Sequence, residues 1–257
     1  DGNTYISGIS QDIAEGVIDF VIPTLSDEDI AVYGIAPMAM YNSRVHSVVY
    51  EEDCGIAVIG SEAFAGSMNL SSIDFTNAKQ LTTIGDRAFA YCDNLAAFYG
   101  NFSSEDNRCL VVTLSVDAFA PAGLTSYTIP YGVREIGGSC FEGCKELASI
   151  SLPSTITEID DRAFAFCISL ESITIPAGIT EVSSSTFEGC SALNKVILPA
   201  SINEIDALAF KNCNTLQNIY CAATTPPRIA TNSFENIAAS AVIYVPINSV
   251  TAYQNAA

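Results

Sequence analysis

The chain has 257 residues, enough for one large core or one repeat array, and its 29 acidic residues against 10 Lys and Arg give a net charge of −19. This acidity argues against nucleic acid and anionic membranes as partners, since both repel a strongly negative surface. Apolar residues never run for 18 positions, so no membrane span is predicted. The low charged fraction of 15%, together with frequent Ser and Thr, favours extended structure over disorder or a coiled coil.

The first predicted element is an N-terminal capping segment, residues 1–39. It begins with Asp-Gly-Asn, without Met, a basic region or an apolar region. We therefore expect either a trimmed cytoplasmic chain or a mature chain whose signal peptide or lipoprotein anchor has been removed. Ile18, Phe20 and Ile22 alternate like an imperfect first coil. A cap is needed because an uncovered terminal coil exposes core and unpaired strand edge.

A repeat of 23 residues fills residues 40–246. Each regular unit has a Phe, a Cys three residues later, a Leu six later and an Ile or Val nine later, and a Pro closes the unit. Shortened units begin at Met40 and Phe119, and an insertion near residues 100–112 follows the unit of Phe89, so that about nine units result. The most regular units begin at Phe141, Phe164, Phe187 and Phe210.

This period predicts a solenoid, because one unit cannot bury its apolar face alone and stacked units share a continuous core. The segment before each Pro alternates inward and outward residues, which predicts a short strand paired in parallel with its neighbours. The Ala-Phe-x-x-Cys segment predicts one capped helical or 3₁₀ turn, and a second extended segment, such as Ile156–Ile159, crosses the opposite side. The predicted fold is a right-handed, β-rich solenoid of about nine 23-residue coils with short parallel strands and short helical or 3₁₀ turns.

Several segments resemble a known family. Residues Ser104–Leu110, Ala120–Thr125, Tyr244–Pro246 and Ser249–Tyr253, together with the repeat unit, are similar to BspA-type leucine-rich repeat proteins. These are surface or secreted proteins of Bacteroides-like and other bacteria, and some are described as adhesins for extracellular-matrix proteins or host cells. The resemblance implies an α/β-type leucine-rich repeat fold and a secreted or cell-surface location, but no particular ligand. Relatives carry a longer aromatic-containing tail, so the C-terminal cap, residues 247–257, is expected to be incomplete.

The nine cysteines fall into two groups. Those at the repeated position after Phe are expected to form a column of buried free thiols, because parallel Cβ vectors suit neither a disulfide nor convergent metal ligation. They are Cys92, Cys144, Cys167, Cys190 and Cys213. The sequence does not decide whether the others form one disulfide among themselves. They are Cys54, Cys109, Cys140 and Cys221.

Catalytic motifs are scarce. Any Ser–His–Asp or Cys–His mechanism would have to use His46, the only histidine. It lies near the start of the first well-phased strand, where a solvated or core-edge histidine is the commoner case. Gly-rich phosphate loops, His-Glu-x-x-His and Gly-x-Ser-x-Gly strings do not occur. The sequence therefore predicts neither an enzyme nor a cofactor.

Four glutamates share one position of the unit and are expected to form a line of carboxylates ~5 Å apart. A solvated outer row explains them, and loose capture of a divalent cation is the alternative, because Ca²⁺ accepts carboxylate oxygens without strict geometry. The four are Glu135, Glu158, Glu181 and Glu204.

The outward strand positions form the extended surface that solenoids use for binding. They are mostly Ser and Thr in the middle units, as expected of solvated strand residues. The last three units differ, and their exposed tyrosines predict a protein or glycan site, with packing on the end cap as the alternative. The six residues are Lys195, Ile197, Asn218, Tyr220, Val242 and Tyr244.

The predicted function is that of a binding module: a non-enzymatic, monomeric, secreted or cell-surface protein with an extracellular protein or glycan as ligand. Two alternatives stay open, a β-helix-type enzyme that acts on polysaccharide through its carboxylates and a structural spacer. A convergent carboxylate pair in a cleft would favour the enzyme, and a smooth sheet without such a pair would favour the binder.

Overall fold

The structure, a computed structural model, describes residues 3–7, 18–22, 31–51, 55–75, 78, 80–99 and 113–256. The insertion predicted near residues 100–112 lies outside this part of the chain, as do Cys54 and Cys109. The described residues form a parallel-strand β-solenoid with very little helix, which confirms the predicted fold class.

The strand predicted before each closing Pro is present, and these strands stack into what we call the front ladder. Their residues alternate as predicted: Ile173 is buried between the exposed Ser172 and Thr174, because successive side chains of a strand point to opposite faces. All pairings in this ladder are parallel. Its strands are β2 (Ile18–Ile22), β4 (Val45–Tyr50), β6 (Ser72–Asp74), β8 (Ala97–Tyr99), β10 (Ser126–Thr128), β12 (Ser149–Ser151), β14 (Ser172–Thr174), β16 (Lys195–Leu198), β18 (Asn218–Cys221) and β20 (Val242–Tyr244).

The second extended segment of each turn forms the rear ladder, whose strands are shorter and also parallel. Its inward residues close the core, as Ile136 and Ile159 show, which pair in register and are both buried. The strands of the rear ladder are β1 (Thr4–Ile6), β3 (Val32–Ile35), β5 (Val58–Ile59), β7 (Thr83–Ile84), β9 (Thr113–Leu114), β11 (Glu135–Ile136), β13 (Glu158–Ile159), β15 (Glu181–Val182), β17 (Glu204–Ile205) and β19 (Arg228–Ile229).

The Ala-Phe-x-x-Cys segments form consecutive β-turns rather than a helix, and we call their stack the turn ladder. Within one turn Ala165 N–H donates to the Arg162 carbonyl at 2.9 Å, whereas Phe164 N–H donates to Thr186 of the next coil at 3.0 Å. This alternation needs a positive φ two residues before and two after the Phe, at Arg162 (60°) and Phe166 (59°). A helix would direct every N–H along its own axis, so the turns gain bonds between coils that a helix could not make.

The core is organised around one stack of phenylalanine rings. Neighbouring rings lie nearly parallel, with centroids 5.2 to 5.5 Å apart, and Met40 occupies the same position one coil earlier. The stack confirms that equivalent residues of successive units lie over one another. In the described part of the chain it contains Phe64, Phe89, Phe119, Phe141, Phe164, Phe187, Phe210 and Phe234.

The two ends differ from the middle. Strand β2 pairs with β4, so a coil precedes Met40, although the boundary at residues 39 and 40 stays a prediction. At the other end a 3₁₀ turn, Ile247–Ser249, leads into helix α1 (Val250–Asn255), and Tyr253 Oη donates to the Ala223 carbonyl at 3.0 Å. Ile243 holds an inward position yet is 46% exposed, since no described coil follows it. None of the described helices has the length and apolar character needed to cross a bilayer.

Candidate functional site

The six residues predicted to bind a ligand lie together on the last three strands of the front ladder. Parallel register places them in two rows, because strands β16, β18 and β20 pair without a shift. We call this surface the tyrosine face. Its rows are Lys195, Asn218 and Val242, and Ile197, Tyr220 and Tyr244.

The aromatic rings dominate the geometry of the tyrosine face. Tyr220 and Tyr244 stack with centroids 4.5 Å apart and planes 11° from parallel, and their side chains remain 39% and 44% exposed. The Lys195 ammonium lies 5.4 Å from the centre of the Tyr220 ring, within the range of a cation–π contact. A shallow groove of about 270 Å³ continues from these rings towards Val245 and Pro246. The site thus offers flat aromatic surface, one cation and an apolar groove.

Strand geometry fixes these side chains more firmly than a loop would. The Tyr244 hydroxyl donates to Asn218 Oδ1 at 3.5 Å, and the Asn218 amide donates to Asn194 Oδ1 at 3.3 Å. Both bonds join neighbouring coils. A ligand that binds here therefore meets a surface already held in place, which lowers the entropy lost on binding.

The glutamate column forms as predicted but is interrupted. Glu135 pairs in register with Glu158, and Glu181 with Glu204, whereas β13 and β15 belong to separate hydrogen-bonded sheets. Asp160 and Glu135 raise the pKa of Glu158 by like-charge repulsion, and burial together with Glu135 raises the pKa of Asp160.

Other contacts of the column do not favour a metal site. Arg228 binds Glu204 at 2.8 Å, and the Thr113 hydroxyl donates to Glu135 at 3.0 Å, so two of the four carboxylates already have partners. Among the described residues, no three His, Cys, Asp or Glu side chains are placed to hold a metal ion together. Capture of a divalent cation by the column stays a prediction, and the geometry adds nothing in its favour.

The cysteine column is buried and hydrogen-bonded. Each thiol donates to the carbonyl of the Phe one coil earlier, as Cys167 Sγ does to Phe141 at 3.1 Å and Cys190 Sγ does to Phe164 at 3.1 Å. Burial raises the pKa of Cys144 to about 12, so this thiol stays protonated and unreactive. The seven cysteines in the described residues are free, including the off-column Cys140 and Cys221. No disulfide therefore joins these two.

His46 has partners that sequence reasoning missed. Its Nδ1 lies 3.3 Å from Asp19 Oδ1, and its Nε2 lies 3.1 Å from Ser71 Oγ, so three neighbouring coils build an Asp–His–Ser relay. The side chains of His46 and Asp19 are 46% and 73% exposed, so water screens the charges and weakens any activation of the serine. The relay could have been found by aligning the outward positions of units whose lengths differ.

Comparison with known proteins agrees with this architecture. A sequence profile of the BspA type Leucine rich repeat region matches residues 31–106 and 112–240 in six copies. Comparison with the curated proteins finds no match.

Several solved structures have a similar fold. The T. pallidum leucine-rich repeat protein TpLRR is 25% identical with a TM-score of 0.54 over 78% of each chain. A leucine-rich repeat protein from Bacteroides ovatus is 18% identical with a TM-score of 0.51 over 96% of each chain. The pneumococcal vaccine antigen PcpA is 17% identical with a TM-score of 0.56 over 90% of this chain and 62% of that one. Since the profile matches well over half of the residues, the chain belongs to the BspA-type leucine-rich repeat family.

Proposed function

We propose that this chain is a non-catalytic binding module of a secreted or cell-surface protein and that its tyrosine face binds an extracellular protein. The stack of Tyr220 on Tyr244 carries the proposal, because it holds two large rings at the surface where a folded protein would normally bury them. Tyrosine is also among the residues that contribute most to protein interfaces.

The chemistry of the tyrosine face favours a protein ligand. Val242 and Ile197 add aliphatic surface beside the rings, and the groove towards Pro246 continues it. A protein interface has an apolar centre and a polar rim, and here Asn218 and Lys195 supply the polar groups. With a net charge of −19, the module attracts basic partners and repels acidic ones.

An extracellular location has independent support. One protein of similar fold is described as a vaccine antigen, and a vaccine antigen is generally accessible to antibodies. That protein is 17% identical and shares the fold alone, so the extracellular location of this chain is part of our proposal.

The test is binding to an array of purified extracellular-matrix proteins, namely collagen, laminin and fibronectin. The double variant Tyr220→Ala with Tyr244→Ala should lose about tenfold or more in affinity for whichever protein binds, since hot-spot tyrosines exceed the free energy that corresponds to a tenfold change. Tyr41→Ala is the matched control, because Tyr41 is 45% exposed and lies in the turn ladder. Binding that survives the double variant would refute the site, and absence of binding by the unaltered chain would favour a structural spacer.

One observation supports the enzyme as a second candidate. Glu158, Asp160 and Glu181 line a groove of about 210 Å³ between β13 and β15, and two of these carboxylates have a raised pKa, as a general acid requires. Glu158 and Glu181 occupy equivalent positions in successive coils, however, whereas a glycosidase needs carboxylates that flank the scissile bond. Release of reducing sugar from polysaccharide, abolished by Glu158→Gln, would establish the enzyme in place of the binder.

A further inference from the structure

The front ladder opens between β8 and β10. Strand β8 pairs with β6, and β10 pairs with β12, but within the described residues no ladder hydrogen bonds join β8 to β10. Strands β12 and β14 also belong to separate sheets, but there the Glu171 N–H still donates to the Ala148 carbonyl at 3.2 Å. The rear ladder stays closed at the same level, where β9 pairs with both β7 and β11. The coils therefore remain stacked, and only the front of the solenoid separates.

On the turn side of the opening the two coils remain in contact. Gly123 N–H donates to the Cys92 carbonyl at 3.1 Å, and Cys92 forms an isolated parallel bridge with Ala122, so the two coils touch there. A Cβ on residue 123 would collide with the backbone of Asp93, which explains the glycine at this close approach. From this contact the coils diverge towards the front ladder and leave a cleft of about 600 Å³.

Aromatic rings and hydroxyl groups line the cleft. Phe98 and Tyr127 are buried below it and meet edge to face with ring centroids 5.5 Å apart. Tyr99, the last residue of β8, is 58% exposed, and Tyr131, beyond the end of β10, is 61% exposed. The outward hydroxyls come from β10 and the residue before it, and aliphatic and proline residues complete the lining. None of these described lining residues carries a formal charge. The hydroxyl-bearing residues are Thr125, Ser126 and Thr128.

We propose that this cleft binds a neutral saccharide. A sugar ring has an apolar C–H face that packs on tyrosine rings and a rim of hydroxyls that bond to Ser, Thr and Tyr hydroxyls. The volume lies within the 300–1,000 Å³ usual for small-ligand sites and suits roughly one or two sugar rings. The described lining residues are uncharged, which in a chain of net charge −19 disfavours uronic or sialic acids, because these would find no cation among those residues to pair with.

The cleft is separate from the tyrosine face. Three strand spacings divide β10 from β16, which corresponds to roughly 15 Å. A saccharide in the cleft therefore leaves Tyr220 and Tyr244 accessible to a second ligand. The proposal consequently does not depend on the protein-binding function and can fail or succeed without it.

The experiment measures affinity for neutral di-, tri- and tetrasaccharides of glucose, galactose, mannose and xylose by calorimetry and ligand-observed NMR on the full chain. Tyr99→Ala and Tyr131→Ala should each weaken binding by about tenfold or more, as loss of a stacking ring does. Tyr99→Ala leaves the ladder bond in place, because Tyr99 bonds to Phe75 through its backbone carbonyl at 2.7 Å, and Tyr131 lies outside the strands of the ladder. Thr128→Val, which keeps the shape and removes one hydroxyl, should weaken binding several-fold.

Controls separate the outcomes. Tyr220→Ala and Tyr41→Ala should bind the same sugars as the unaltered chain, and added salt should leave the affinity unchanged because no ion pair forms. The proposal is overturned if no neutral oligosaccharide binds at millimolar concentration, if Tyr99→Ala and Tyr131→Ala bind as well as Tyr41→Ala, or if uronate oligosaccharides bind more tightly than neutral ones.

Discussion

Replacing one thiol of the cysteine column with a carboxylate tests the stacked geometry directly. Cys167 is fully buried, and its thiol donates to the Phe141 carbonyl at 3.1 Å. Burial already raises the pKa of this thiol well above its usual value, with the neighbouring Cys190 and Cys144 adding to the effect. In Cys167→Asp a group that only accepts hydrogen bonds when ionised would face a carbonyl that also only accepts.

The expected loss follows from keeping the new carboxyl protonated. An unfolded aspartate ionises near pH 3.9, so holding it neutral at pH 7 costs ~4 kcal/mol at 1.36 kcal/mol per pH unit. The larger side chain adds ~1 kcal/mol or more of overpacking. The total, ~5 kcal/mol, is a large share of the ~5–15 kcal/mol by which domains are usually stable.

Urea unfolding followed by circular dichroism measures this loss. Cys167→Ala is the control, and we expect it to cost only ~1–2 kcal/mol for one lost hydrogen bond and a small cavity. The carboxyl of Cys167→Asp has a higher pKa folded than unfolded, so its penalty is present at neutral pH and shrinks as the pH falls. The gap between the two variants should therefore narrow by ~4 kcal/mol between pH 7 and pH 4. Equal stability of both variants at pH 7 would show that the column faces solvent.

Two further substitutions probe the rear and turn ladders. Glu158→Gln should stabilise the fold at pH 7, by no more than ~0.5 kcal/mol because the group is exposed. The gain should disappear below the usual glutamate pKa of 4.5, where Glu158 is protonated in both the folded and the unfolded chain. Thermal melts at low and high salt measure the gain, and a gain that persisted at pH 4 would contradict the idea. Gly189→Ala should destabilise by ~1–2 kcal/mol, because Gly189 has a φ of 73° and a Cβ there would lie 2.5 Å from the Phe166 ring. Adding Phe166→Ala should remove the clash but not the backbone cost, so the double variant should still unfold at a lower urea concentration than Phe166→Ala alone. Equal urea midpoints of these two variants would argue that the positive φ contributes nothing.

Periodicity in the sequence was sufficient to predict which residues face the core. Phe164, Phe187 and Phe210 repeat at the same spacing and stack within 8° of parallel, because an identical path of the chain in each coil gives an identical side-chain direction. The same reasoning located both rows of the tyrosine face, since parallel register without a shift preserves the position within the unit.

Features that depend on differences between coils were not predictable in this way. The separation of β8 from β10 is one, because it depends on how far two unequal coils diverge. Phe166 departs from the repeat in its side chain only: its φ of 59° is close to those of Gly189 (73°) and Asn212 (62°) at the same position, so the left-handed turn there follows the average coil. Periodicity describes the average coil, whereas these features are departures from it.

Such departures are where function is to be sought in a repeat protein. A coil that matches its neighbours presents the same Ser and Thr residues at the front, as Ser149 and Ser172 do, and a uniform polar surface gives a ligand no preferred position. Specific recognition requires a point at which chemistry or spacing changes along the ladder. At the C-terminal end the chemistry changes, because Tyr220 and Tyr244 replace small hydroxyl side chains. Between β8 and β10 the spacing changes as well, which turns a flat row into an open cleft. The two proposed sites therefore follow from one cause: each lies where the identity of successive coils is interrupted.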